Sequence, residues 1–149
     1  HWLTPWLVGK TSLAEARALD LTEVLHQELG WNKVQALDTL APVRFQTPAE
    51  TWRRIDYSAG EQSVLQVPMQ ELFGVSDTPR IFDGRQPLLL HLLSPAGRPL
   101  QVTQDLATFW SGAYAEVRKE MRGRYPKHHW PQEPAIALPI RGGLKRHRT

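Results

Sequence analysis

The residues of this chain with the most capacity for chemistry lie near its end, in the run RKEMRGRYPKHHW over residues 118–130. Arg118, Lys119, Arg122, Arg124 and Lys127 are interleaved there with Tyr125 and Trp130. Cations neutralise phosphates and aromatic faces stack bases, so this mixture suits single-stranded nucleic acid. The same residues also fit a solvated helix end whose aromatic rings tie the following segment onto a core. Arg53, Arg54 and Tyr57, on a predicted strand, form a second patch of the kind that small barrels turn toward such ligands. The two patches together would make one track.

Other chemistries find little footing. Gly9-Lys10-Thr11 resembles the end of a phosphate-binding loop, but Thr4 stands where the pattern needs its first glycine. A cap-and-loop reading fits better, because phosphate binding needs the whole glycine-rich cradle of backbone N–H groups. His128 and His129, with Glu133 or His147, could be imagined as a metal site, yet adjacent histidines on an irregular segment point apart and no third ligand has metal-binding spacing. His91 lies inside an apolar strand, where a satisfied histidine is commoner than a ligand, and His26 lies on a polar helix face. No G-x-S-x-G is present, and the carboxylates form no recognisable acid–base pair. Zero cysteine removes thiol nucleophiles, disulfides and sulfur-ligated zinc. The expectation is a chain with no catalytic residue, no metal and no cofactor of its own.

With 149 residues and 41% hydrophobic content, the chain has the size of one globular domain, or one with a small appendage. Its net charge of +3 is unevenly spread. Residues 1–117 hold 9 Lys+Arg against 13 Asp+Glu, a net of −4, and residues 118–149 hold 9 against 2, a net of +7. That asymmetry points to a polyanionic partner or to a solubilising basic tail. No targeting pattern is visible, and the longest apolar stretch, residues 88–93, falls far short of the roughly 20 residues a membrane span needs. A cytoplasmic protein with no membrane partner is expected, and a start at His1 rather than Met is expected of a piece of a longer chain.

The elements that must position these residues follow from periodicity and punctuation. Ser12 with Glu15 has capping-box spacing, Asp20 and Thr22 precede Val24, Leu25 and Leu29, and Gly30 is a natural stop. A further helical run from Asn32 to Leu40 ends before Pro42, so residues 1–41 read as short helices. Residues 42–104 read as strands over 43–47, 51–58, 63–67, 87–93 and 100–103, with one helical turn at 69–73 and a turn at Asp83-Gly84. Ser94-Pro95-Ala96-Gly97 should join the last two strands as an antiparallel hairpin. Three strands, a short helix and two strands is the order of a five-stranded antiparallel OB-like β-barrel. Leu106, Phe109, Trp110, Ala113, Tyr114, Val117 and Met121 step by three and four, predicting one long amphipathic helix over 105–123, capped by Asp105 and packed on the barrel. Four prolines then deny regular structure to residues 124–149, a Pro-rich and basic tail whose end, RGGLKRHRT, is expected to be disordered. The expected class is α+β.

The segments QELFGVSDTPRI, PLLLHLLSPAGRPLQVTQDLATFW and EVRKEMRGRYPKHHWPQEP resemble the C-terminal domain of the HrpB family, bacterial DEAH-type ATP-dependent RNA helicases. Upstream, WL, GKTSLAEARALDL and LDTLAPVRFQTP agree, so the likeness runs from Trp2 to Pro134. His129 departs from it, because the family more often reads PKHPWP. The resemblance implies the end of a larger helicase whose RecA-like ATPase domains lie upstream, with ATP and Mg expected only there. It implies a noncatalytic accessory module whose partners are RNA or single-stranded nucleic acid and the upstream helicase domains of the same chain. The rival is a structural or docking module, with Trp2, Trp6 and Trp31 packing on the helicase core or on a partner protein. An independent hydrolase would require a deep pocket of convergent titratable groups.

Overall fold

The computed structural model describes residues 3–139. Two compact units divide the chain, His1–Ala41 and Pro42–Thr149. The first holds four helices, α1 (Thr4–Leu7), α2 (Leu13–Arg17), α3 (Leu21–Leu29) and α4 (Trp31–Leu40). Ser12 caps α2 by accepting the Glu15 N–H at 3.1 Å. The Glu15 carboxylate reaches one residue past the cap, accepting from the Thr11 N–H at 2.7 Å and the Thr11 hydroxyl at 3.1 Å, and these bonds hold its pKa below the ordinary value. Asp20 caps α3 through the N–H groups of Thr22 and Glu23. Gly30, at φ +78° and ψ 161°, makes the corner between α3 and α4 in a conformation open essentially to glycine alone. Trp6 Nε1 donates to Glu28 at 2.6 Å and ties α1 to α3.

The second unit is a sheet with helices on one face. Its strands are β1 (Arg44–Gln46), β2 (Trp52–Asp56), β3 (Val64–Pro68), β4 (Arg80–Ile81), β5 (Gln86–Pro87), β6 (Leu89–Leu93) and β7 (Pro99–Thr103), followed by α5 (Leu106–Ser111) and α6 (Tyr114–Arg124). Five strands form one sheet in the order β1-β2-β3-β6-β7, and β4 pairs with β5 separately. The expected β6–β7 hairpin is present, antiparallel with Leu90 opposite Thr103 and Leu92 opposite Gln101. The Ser94 N–H donates to the Arg98 carbonyl across its turn, where Gly97 takes φ +81°.

The antiparallel OB-like barrel is corrected by this topology. β3 and β6 run parallel, Val64 opposite Leu89 through Pro68 opposite Leu93, so the sheet is mixed. β1 and β7 lie at opposite ends of the strand order and do not meet, so the sheet is open. The physical reason is the crossover: a parallel neighbour needs a connection of about a dozen residues or more. Here the chain leaves β3 through a 3-10 turn at Met69–Leu72, makes the small β4–β5 hairpin and returns. The return is made at Leu88, whose N–H bonds the Pro79 carbonyl just before β4, and Leu89, whose N–H bonds the Ser63 carbonyl just before β3. A linear order of strands and turns carries no information about that handover.

The single long helix is corrected as well. The apolar stripe from Leu106 to Met121 is interrupted at Gly112 and Ala113, leaving six residues in α5 and eleven in α6. Asp105 does cap α5, accepting the Thr108 N–H at 3.1 Å and the Thr108 hydroxyl at 2.7 Å. The Gly112 N–H donates to both the Thr108 and Phe109 carbonyls, a tight closure of α5 at a residue that is a weak helix former. Because Trp110 and Tyr114 stay in the core on both sides of the break, periodicity does not register it. Their rings meet edge to face at 5.2 Å.

The core joins Ile55, Leu65, Val67, Leu90 and Leu92 of the sheet to Phe109, Trp110, Tyr114 and Met121 of the two helices, with Phe73 between them. Residues 126–139 contain no helix or strand, yet they are bound to this core. Trp130 and Pro134 are buried, and the Gly74 N–H donates to the Pro134 carbonyl at 2.8 Å. The RGGLKRHRT run lies outside the described residues.

Candidate nucleic-acid interface

The buried side of α6, Tyr114 and Met121, fixes which of its cations share a surface. Arg118 is half-buried and its Nε donates to the Trp130 carbonyl at 2.8 Å. The Tyr114 hydroxyl donates to the Pro131 carbonyl at 2.7 Å, and burial pushes its pKa up to about 12. Trp130 itself is 5% exposed, edge-on to Phe73 at 6.4 Å, with its Nε1 donating to the Tyr125 carbonyl. Its ring is a wall of the core and presents no free face to a base. Tyr125 is half-buried and edge-on to His128 at 5.8 Å. His128 Nδ1 lies 2.8 Å from Nε2 of the buried Gln70.

These bonds draw the segment after α6 alongside the helix and open a groove of about 460 Å³ between them. Arg118, Arg122, His128 and His129 line it, and among the described residues no carboxylate does. The opposite flank of α6 differs. Lys119 and Arg124 share a shallow hollow there with Glu116 and Glu120, and Arg124 pairs with Glu120 at 3.3 Å. Lys127 is exposed on the loop. The cluster expected from sequence is thus split into an uncompensated groove and a balanced flank.

The strand patch is split too. Arg53 points to the core side, where its Nε and Nη2 bond the two oxygens of Glu71 at 2.8 and 2.5 Å. Arg54 is exposed on the outer face, beside a groove of about 670 Å³ shared with Tyr57, Asp56 and Gln66. The Tyr57 hydroxyl donates to the Pro42 carbonyl at 2.6 Å, and burial raises its pKa. Since Arg54 alternates with Ile55, which faces the helices, the sheet stands between Arg54 and the α6 groove. The two patches do not form one track.

Strand pairing adds two residues that sequence reading passed over. Arg44 lies with its Cζ 5.3 Å from the centre of the Trp52 ring, and Trp52 is 55% exposed. Alternation along β2 already puts Trp52 on the face of Arg54; Arg44 joins them only through the register of β1. Among the described residues no three His, Cys, Asp or Glu side chains gather as a metal site, and His147 lies outside them. Among the same residues no helix is long and apolar enough to cross a membrane.

Residues 2–134 match the family described as HrpB_C, ATP-dependent helicase C-terminal. The chain is 47% identical over 140 residues to the ATP-dependent RNA helicase HrpB of Escherichia coli (strain K12), covering 94% of this chain and 17% of that protein. It superposes on the crystal structure of the E. coli DExH-box NTPase HrpB with a TM-score of 0.86 at 47% identity, over 93% of this chain and 17% of that one. For the crystal structure of the E. coli DEAH/RHA helicase HrpB the TM-score is 0.68 at 45% identity, over 87% and 16%. This chain therefore spans about a sixth of the length of these relatives.

Proposed function

The chain belongs to the family of ATP-dependent helicase C-terminal domains, and from that premise we propose that it is a noncatalytic accessory module holding RNA, or another single-stranded nucleic acid, through its phosphates. The observation that carries this reading is the α6 groove, where Arg118, Arg122, His128 and His129 converge with no carboxylate among the described residues. A concave surface lined by one sign of charge focuses its field and favours a counter-charged ligand. A phosphate backbone supplies that charge, and the E. coli relative's name, an RNA helicase, favours RNA.

In this reading ATP and magnesium belong to the upstream helicase domains. That placement is supported at Gly9-Lys10-Thr11, where the Thr11 N–H and hydroxyl both donate to Glu15. The test is fluorescence anisotropy of labelled oligouridylate against this chain across a salt series. Arg122→Glu should weaken binding and reduce the salt slope by about 0.7, one single-strand phosphate contact. No measurable affinity of the unaltered chain at low salt would overturn the reading.

A second reading is carried by the helical unit and concerns another surface. Leu13, Leu21, Leu25 and Leu37 are exposed on its short helices, and Trp31 is 74% exposed. Apolar residues in that number fit packing against the upstream helicase domains. Of the three tryptophans proposed for such docking, Trp31 is exposed, Trp6 is bonded to Glu28, and Trp2 lies outside the described residues.

A further inference from the structure

We propose that the outer face of β1 and β2 is a second contact for single-stranded nucleic acid, stacking a base on Trp52 and seating the adjoining phosphate between Arg44 and Arg54. The inference rests on the reading of this chain as a single-strand-binding module and adds to it a site on the other side of the sheet from the α6 groove.

Three relationships carry it. Arg44 and Arg54 are direct partners across the strands, and Gln46 is the partner of Trp52, so these four side chains share one face. Like charges directly opposite one another on a sheet destabilise it, and neither arginine forms an ion pair among the described residues. Asp56, an acid on this face, accepts from the N–H and hydroxyl of Ser58 at 2.8 and 2.6 Å and feels the Arg54 charge without pairing with it, so Arg54 is answered only in part and Arg44 not by it. An anion between the two guanidinium groups removes their repulsion.

The aromatic component is as specific. Trp52 is more than half exposed although it opens a paired strand, and Arg44 covers its ring from one side. A guanidinium above an indole is attracted by the ring's negative face, which holds the ring in place while its remaining surface stays open. Within the set of Arg44, Arg54, Gln46 and Trp52 the indole is the one apolar side chain, and Val43 and Val64 line the groove beside Arg54. A nucleotide unit carries what the set asks for: an anion, a π surface beside it, and base-edge groups for the Gln46 amide.

The experiment compares two ligands and three variants of this chain by anisotropy at fixed low salt. Trp52→Ala should lose about tenfold in affinity for oligoadenylate, one base stack, and keep wild-type affinity for an abasic oligomer of equal length. Trp52→Phe, which retains an aromatic face, should bind oligoadenylate nearly as wild type. Arg122→Glu, in the α6 groove, should lose affinity for both ligands. Wild-type affinity of Trp52→Ala for oligoadenylate, with Arg122→Glu still impaired, overturns the stacking site and leaves the proposed function standing. Equal loss on both ligands by Trp52→Ala also overturns it, since the residue would then act through the fold. Absence of binding by the unaltered chain is the distinct outcome that overturns the underlying function.

Discussion

Arg53 and Glu71 are joined by two parallel bonds, Nε to Oε2 at 2.8 Å and Nη2 to Oε1 at 2.5 Å, between β2 and the 3-10 turn that follows β3. Glu71 is 5% exposed, and the Thr51 hydroxyl completes its shell at 2.7 Å. A buried carboxylate is tolerated because a fork of donors answers it. Arg53→Ala strands that charge and should cost about 1–3 kcal/mol in urea unfolding. The slope of oligonucleotide binding against salt should stay as it is, because this guanidinium is already occupied. A lowered slope with an unchanged unfolding midpoint would reverse the assignment.

The two flanks of α6 should respond differently to charge reversal. Arg122→Glu, in the carboxylate-free groove, is expected to weaken oligouridylate binding and flatten its salt dependence. Lys119→Glu with Arg124→Glu should change little, since Glu116 and Glu120 already balance that flank. Equal losses in the two variants would mean that net charge alone governs binding.

Gly74 takes φ +93°, and a Cβ there would sit 2.9 Å from the Ala137 carbonyl oxygen. Gly74→Ala combines a left-handed backbone with a backbone clash, for which about 1–3 kcal/mol is expected. The segment around Pro134, bonded to the Gly74 N–H, should exchange its amide hydrogens faster in the variant. Wild-type melting together with wild-type exchange at residues 135–137 would show that the segment does not depend on this approach.

Tyr114 sets an alkaline limit. Burial raises its pKa to about 12 in the folded chain, against about 10 for a free tyrosine. The unfolded chain therefore releases this proton first as pH rises. The stability contributed is complete below about pH 10 and is lost progressively up to about pH 12. Tyr114→Phe should make urea midpoints less steep across that window, with Tyr57, also raised by burial, supplying part of the remaining slope. A variant with the same steepness as wild type would place the alkaline sensitivity elsewhere.

Local chemistry was legible from residue types, and long-range pairing was not. Asp105 as a cap, Gly97 in the hairpin turn and the helical turn at Met69 each depend on a few neighbouring residues, and each is present. The parallel partnership of Val64 with Leu89 links strands separated by a small hairpin, and nothing in either strand's own pattern specifies it. The same limit applies to the site. The α6 cations were visible as a run, but their division into groove and flank depends on where the Pro131 and Trp130 carbonyls dock. Trp130 carries the same composition signal whether it stacks a base or fills a core; the edge-on contact with Phe73 decides. Arg44 needed the register of β1 before it could be placed on Trp52.

An open sheet also has borders that a closed barrel would not. Among the described residues β1 and β7 have no outer neighbour, so both expose backbone groups able to recruit a stray strand from another molecule. β1 is three residues long, set between Pro42 and Pro48 and carrying Arg44; β7 begins at Pro99, which has no N–H to offer. The prolines that interrupt the sequence thus act as guards against aggregation, and replacing Pro48 or Pro99 with a β-branched residue would lengthen the templates that they keep short.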